Sequence, residues 1–134
     1  RPLEVTAVGQ QFAWKFEYAD EEITSGELVL PVGREARFTM RAVDVIHSFW
    51  VPEWRIKKDN VPGITTTAIV TPDKVGTYQL VCTELCGWGH PTMRAAAGPR
   101  SWMTPRSSAP FERSSRRVRF TAKGIAKSGH VCAR

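Results

Sequence analysis

The sequence predicts an all-β fold, a Greek-key sandwich, on three observations. Its first 93 residues break into short runs rich in β-branched and aromatic residues, separated by Gly, Pro, Asp and Ser turn signals. One of these runs alternates strictly between apolar and polar residues. No stretch carries a convincing amphipathic-helix pattern.

The elements follow in order. Leu3–Val8 reads as the first strand. Phe12–Tyr18 is the alternating one, with Phe12, Trp14, Phe16 and Tyr18 expected on one face and Ala13, Lys15 and Glu17 on the other. Glu27–Leu30 stops at Pro31 and Gly33, and Ala36–Met40 follows. Ala42–His47 is strand-like and is expected to end at His47. Thr65–Val70 and Thr77–Cys82 flank a turn at Pro72–Gly76. After Met93 the pattern fails, and Ala95-Ala96-Ala97-Gly98-Pro99-Arg100 is expected to break the final strand.

A chain of 134 residues that is 42% hydrophobic suits one domain with a real core. Its charge is split. Residues 1–93 hold nine Lys/Arg and twelve Asp/Glu, a net of −3; residues 94–134 hold ten Lys/Arg and one acid, Glu112, a net of +9. The basic character of the chain therefore belongs to its C-terminal part. The division drawn from this is a folded domain over 1–97 and a basic tail over 98–134. Pro99, Pro105 and Pro110, with Ser and Arg runs such as Ser114-Ser115-Arg116-Arg117, leave that tail little to bury, so it is expected to be largely disordered. A nucleic-acid arm is disfavoured, because no groove-reading motif or aromatic interleaving accompanies the charge. A second account is an out-of-frame reading, since a shift of two nucleotides from Gly98 can encode a strand-like segment.

The chemistry lies in Val81-Cys82-Thr83-Glu84-Leu85-Cys86-Gly87-Trp88-Gly89-His90-Pro91-Thr92-Met93, together with His47. Two thiols, an imidazole and a thioether share one short segment, and a second imidazole waits upstream. The spacing is too irregular for one helix face, and Gly87, Gly89 and Pro91 favour a loop that wraps a metal. Thiolate and thioether are soft ligands and imidazole suits copper, so Met93 points to copper over zinc. A His2Cys set with a weak axial Met makes a mononuclear blue-copper site; the additional Cys lets two thiolates bridge two coppers. A Cys82–Cys86 disulfide and a Cys2His2 zinc site are the bland alternatives. His130 and Cys132 are assigned no metal. Trp50 and Trp88 flank the ligands and are expected to keep water out.

These segments carry a resemblance. Asp44-Val45-Ile46-His47-Ser48-Phe49-Trp50-Val51-Pro52, Lys58-Asp59-Asn60-Val61-Pro62-Gly63 and Cys82–Met93 resemble the soluble copper domain of cytochrome c oxidase subunit II, over roughly residues 3–96. The resemblance implies a cupredoxin-like sandwich with a binuclear Cu-A centre. It implies that Cys82 and Cys86 bridge both coppers and that His47 and His90 each ligate one. Met93 and the Glu84 carbonyl would be weak ligands, and the Glu84 side chain would meet a magnesium or manganese ion at the contact with subunit I. It further implies an oxidoreductase subunit that acts as a relay: one electron at a time comes from cytochrome c and passes to haem in subunit I for oxygen reduction. Phe12, Trp14, Glu17 and Asp44 are the expected docking and electron-acceptance residues, with Asp20, Glu21 and Glu22 nearby. This chain has Phe12 and Ala13 where many members carry Trp and another aromatic. The Cu-A domain of nitrous oxide reductase is the nearest alternative, and Glu84-Leu85 with His47-Ser48-Phe49-Trp50 favours the oxidase. A mononuclear carrier and a metal-free β-domain are more distant readings.

No apolar run approaches about 18 residues, so no membrane span is expected in the chain itself. Family members carry membrane helices before this domain, which implies a piece starting just outside a membrane. The expected place is the periplasmic face of a bacterial plasma membrane.

Overall fold

The computed structural model describes residues 1–101. Residues 102–134, with the disorder expected of them and with His130 and Cys132, lie outside the described residues.

Ten strands form two five-stranded sheets. The strands are β1 (Leu3–Gln10), β2 (Ala13–Tyr18), β3 (Ile23–Ser25), β4 (Leu28–Pro31), β5 (Ala36–Ala42), β6 (His47–Val51), β7 (Ile56–Asn60), β8 (Thr66–Val70), β9 (Tyr78–Cys82) and β10 (Arg94–Arg100). Two 3₁₀ turns, Pro52–Trp54 and His90–Thr92, are the helical elements among the described residues. The sheet orders are β3-β2-β1-β5-β8 and β4-β10-β9-β6-β7. Two pairings are parallel, β1 with β5 and β4 with β10; the others are antiparallel. This is the all-β, cupredoxin-like sandwich that the sequence predicts.

Alternation builds the core. Leu3, Val5 and Ala7 of β1, Trp14, Phe16 and Tyr18 of β2, and Phe38 and Met40 of β5 point inward from one sheet. Leu28 and Leu30, Phe49 and Val51, Leu80 and Ala97 point inward from the other. Phe38 and Phe49 meet across the sandwich with ring centroids 5.5 Å apart. Tyr18 ties the sheets by hydrogen bonds as well. Its hydroxyl accepts from the Val29 N–H at 2.8 Å and donates to the Val29 C=O at 3.1 Å. Burial pushes its phenol above the ordinary tyrosine value, against the lowering pull of Val29. Asn60, fully buried, reaches from β7 to the carbonyls of Ala7 and Arg41 at 3.0 and 2.9 Å.

Three sequence expectations are corrected. First, the final strand is intact: β10 runs through Ala95–Arg100 and pairs with both β9 and β4, so the expected boundary at 97/98 falls inside a strand. Glycine suits position 98, where a Cβ would lie 2.9 Å from the Gly76 carbonyl oxygen. Pro99 is tolerated because its carbonyl accepts from the Gly76 N–H at 3.3 Å. A strand residue's N–H and C=O point to the same side, so the missing donor faces Gly76, beyond the end of the β9 ladder at Tyr78.

Second, Ala42–His47 is not a strand that ends at His47. β5 stops at Ala42, and β6 begins at His47. Val43, Val45 and Ile46 are exposed, and the Asp44 side chain takes the N–H groups of Val45 and Gln11, both at 2.7 Å. Side-chain acceptors of this kind compete with strand pairing. Third, Phe12 does not join the buried face of β2. It sits with Gln11 in the two-residue β1–β2 turn, and is 38% exposed.

Candidate metal centre

The strand ladder brings the donors together at one end of the sandwich. β6 and β9 are neighbours, with Phe49 opposite Cys82. β9 and β10 form a hairpin closed by the Cys82 N–H donating to the Met93 C=O at 3.1 Å. Cys82 and Met93 therefore stand side by side at the base of the hairpin. The segment between them folds over as a loop that presents Cys86 and His90. The 3₁₀ turn at His90–Thr92, with Pro91 in its first positions, brings the chain back into β10.

Six donor groups converge. His47 Nδ1 lies 3.9 Å from Cys82 Sγ, and Cys82 Sγ lies 3.9 Å from Cys86 Sγ. Cys86 Sγ lies 3.6 Å from His90 Nδ1 and 3.7 Å from Met93 Sδ. The Glu84 carbonyl oxygen lies 3.3 Å from Cys82 Sγ. Both cysteines are free thiols, so the disulfide alternative is not formed. His47, Cys82 and Cys86 alone make a buried cluster with ligand atoms within 4.8 Å of one another. Burial first, and the neighbouring Cys82 second, push the Cys86 thiol up to about 11. A cation beside the Cys86 sulfur would favour its thiolate form, and a soft metal provides one.

The surrounding residues fix His47. Its Nε2 lies 2.8 Å from Asp44 Oδ1. Burial works against ionisation of Asp44, but bonds from the Gln11 N–H, His47 and the Val45 N–H outweigh it and hold the carboxyl below its usual value. A carboxylate only accepts, so Nε2 carries the imidazole proton and the Nδ1 lone pair faces the sulfurs. Carboxylate–histidine pairs of this type orient metal ligands. Below the ring, a Cβ on Gly9 would lie 2.8 Å from His47 Cδ2, so only glycine leaves room for it.

The water-excluding shell is not the expected one. Trp88 is fully exposed and Trp50 is 37% exposed on the outer face of β6. Trp14 does that work, with its ring centroid 6.2 Å from His47 and 5.9 Å from Phe49. Strand alternation explains the swap, since Phe49 points inward and Trp50 outward. Of the expected docking residues, Phe12 and Asp44 lie beside the centre and Trp14 is buried behind His47. Glu17 lies on the outer face of β2, paired with Lys15 at 2.6 Å. The Glu84 side chain is exposed. Gln11 and Gly9 escaped the sequence reading; the Asp44-x-x-His47 spacing was a legible signal for the carboxylate partner.

The fold and the donor set define a cupredoxin-like domain with a cluster of Cys, His and Met donors that could hold a soft metal. Residues 22–98 match the family described as cytochrome c oxidase subunit II, periplasmic domain, and the chain belongs to that family. Cytochrome c oxidase subunit 2 of Thermostichus vulcanus is 52% identical over 92 residues, covering 69% of this chain and 28% of that protein. The Synechocystis sp. subunit 2 is 39% identical over 117 residues, covering 83% of this chain and 35% of that protein. The chain thus spans about a third of the length of these relatives. The crystal structure of the periplasmic domain of subunit II of cytochrome oxidase (CoxB) of Bradyrhizobium japonicum superposes with a TM-score of 0.70 at 28% identity, covering 74% of this chain and 84% of that one.

Proposed function

We propose that this domain is the electron-relay module of a respiratory terminal oxidase, taking one electron at a time from cytochrome c and handing it to haem in subunit I. The convergence of two thiols, two imidazole Nδ1 atoms, a thioether and a carbonyl at one dry end of the sandwich carries the reading. The donor chemistry fits a binuclear copper centre, which Cys82, Cys86, His47 and His90 would hold, with Met93 and the Glu84 carbonyl as weaker donors. Bound there, a copper pair supplies a one-electron redox site whose charge is shared over both ions.

The protein's part is to hold and dry that site. Asp44 keeps the His47 proton on Nε2. Trp14, Phe49 and the sandwich core restrict solvent, which tunes a redox potential. The exposed Glu84 carboxylate would meet magnesium or manganese at subunit I. Phe12 and Asp44, beside the centre, would face cytochrome c, with Trp14 behind them and Glu17 further along β2. The net negative body suits a basic partner, since opposite fields steer encounter. Among the described residues no helix is long and apolar enough to cross a membrane. Attachment to the periplasmic face of a bacterial plasma membrane would rest on helices outside this stretch.

The test is mixing of reduced cytochrome c with the copper-loaded domain in a stopped-flow spectrometer. One electron accepted per domain, slowed by salt, is the expected result. No oxidation of the cytochrome by a fully loaded domain would end the relay reading.

A further inference from the structure

The turn between β1 and β2 grips both halves of the centre, yet supplies no ligand. The Gln11 side chain donates from Nε2 to the Cys86 carbonyl at 2.5 Å, on the ligand loop. Its backbone N–H donates to Asp44 Oδ2 at 2.7 Å, on the arm that orients His47. One residue therefore links the loop carrying Cys86 to the carboxylate behind His47, although these segments lie far apart in sequence.

The loop is shaped to receive this turn. A Cβ on Gly89 would run into the Phe12 ring. At Gly87, whose φ is +129°, a Cβ would lie 2.9 Å from Gln11 Nε2 and 3.1 Å from the Phe12 ring. Gly9, just before the turn, makes room for the His47 ring. Glycines thus sit on both sides of the contact wherever the β1–β2 turn presses against the centre.

We propose that the Gln11–Phe12 turn is a clasp that sets the spacing between His47 and Cys86, with the Gln11 side chain as its positioning residue. The inference rests on the reading of this cluster as a copper centre. The Gln11 backbone N–H persists in any non-proline variant, so side-chain substitutions cut the link to Cys86 and leave the link to Asp44. Gln11→Ala removes the donor and the bulk. Gln11→Met keeps the length and removes only the donor. Tyr18→Phe is the control, because it weakens the sandwich away from the centre.

Two readouts judge the clasp. In the metal-free protein, the rate of Cys86 modification by an aromatic disulfide reagent reports how firmly the loop is held. In the copper-loaded protein, transfer of copper to a chelator and the paramagnetic hyperfine pattern report the ligand geometry. Both Gln11 variants are expected to release copper about 10-fold faster or more, the usual scale for residues that orient metal ligands. They should also shift the hyperfine pattern and speed thiol modification, while Tyr18→Phe moves neither the pattern nor the thiol rate. Wild-type behaviour in both Gln11 variants would overturn the clasp, as would an equal response from Tyr18→Phe. If the unaltered domain takes up no copper, the copper reading fails, and the thiol rate in metal-free protein still decides the clasp.

Discussion

His47 and His90 offer the same imidazole atom to the same sulfur cluster, but the protein holds them differently. His47 opens β6, is fully buried, and has its outer nitrogen bonded to Asp44 and its ring seated over Gly9. His90 starts a short 3₁₀ turn in the loop, is half-buried, and faces Cys86 at 3.6 Å. One imidazole is built into the sandwich. The other rides on the loop that follows β9, against which the β1–β2 turn packs. A site made this way keeps a preformed half and an adaptable half.

The two histidines should differ most in metal-free protein. His47→Ala should lower unfolding free energy by about 3 kcal/mol, from a cavity in the core and a carboxylate stripped of its partner. His90→Ala should cost less than about 0.5 kcal/mol, as at other loop positions. Urea unfolding measures both, and equal losses would erase the distinction. Next in size, Asp44→Asn removes the charged acceptor behind His47. Copper affinity should fall about 10- to 100-fold in competition with a chelator, and the metal-free fold should also lose stability, because one amide oxygen cannot replace both carboxylate acceptors. An unchanged affinity would mean that the pair does not orient the ligand.

Gly89→Ala sharpens the loop side. Its φ of −85° suits alanine, so any cost comes from the clash with Phe12. Thermal unfolding should show a loss of about 1–3 kcal/mol, the range for overpacking, and Phe12→Ala in the same chain should recover part of it. Smallest is Tyr18→Phe, which costs about 1 kcal/mol for the bonds to Val29. Because the folded phenol is raised above its unfolded value, its stabilisation is complete below about pH 10 and fades as pH climbs through the folded value. The variant should lose that alkaline limb in unfolding curves taken from pH 8 upward, and a wild type equally stable across that range would contradict the assignment.

The centre was legible where chemistry is written in residue type. Soft donors in a Gly/Pro loop, with His47 upstream, announce themselves in a single sequence. Alternation likewise exposed Trp14, Phe16 and Tyr18 as core. What stayed hidden depends on neighbours distant in the chain. β10 reads as broken because alanine, glycine and proline have poor strand propensity, yet pairing with both β9 and β4 holds it as a strand, and Gly98 leaves room for the Gly76 carbonyl. Val43-Asp44-Val45-Ile46 reads as a strand because its composition is β-like, while the Asp44 carboxylate diverts its backbone bonds. Gln11 carries no signal of its own; its role exists only once β1 and β2 fold the turn onto Cys86.

Whether the site holds a copper pair is decided by copper content per chain alongside an electron paramagnetic resonance spectrum of the reconstituted domain. Two coppers with hyperfine splitting shared over both nuclei is the predicted result. A single copper with a localised signal, or none, would contradict a binuclear relay held by His47, Cys82, Cys86 and His90.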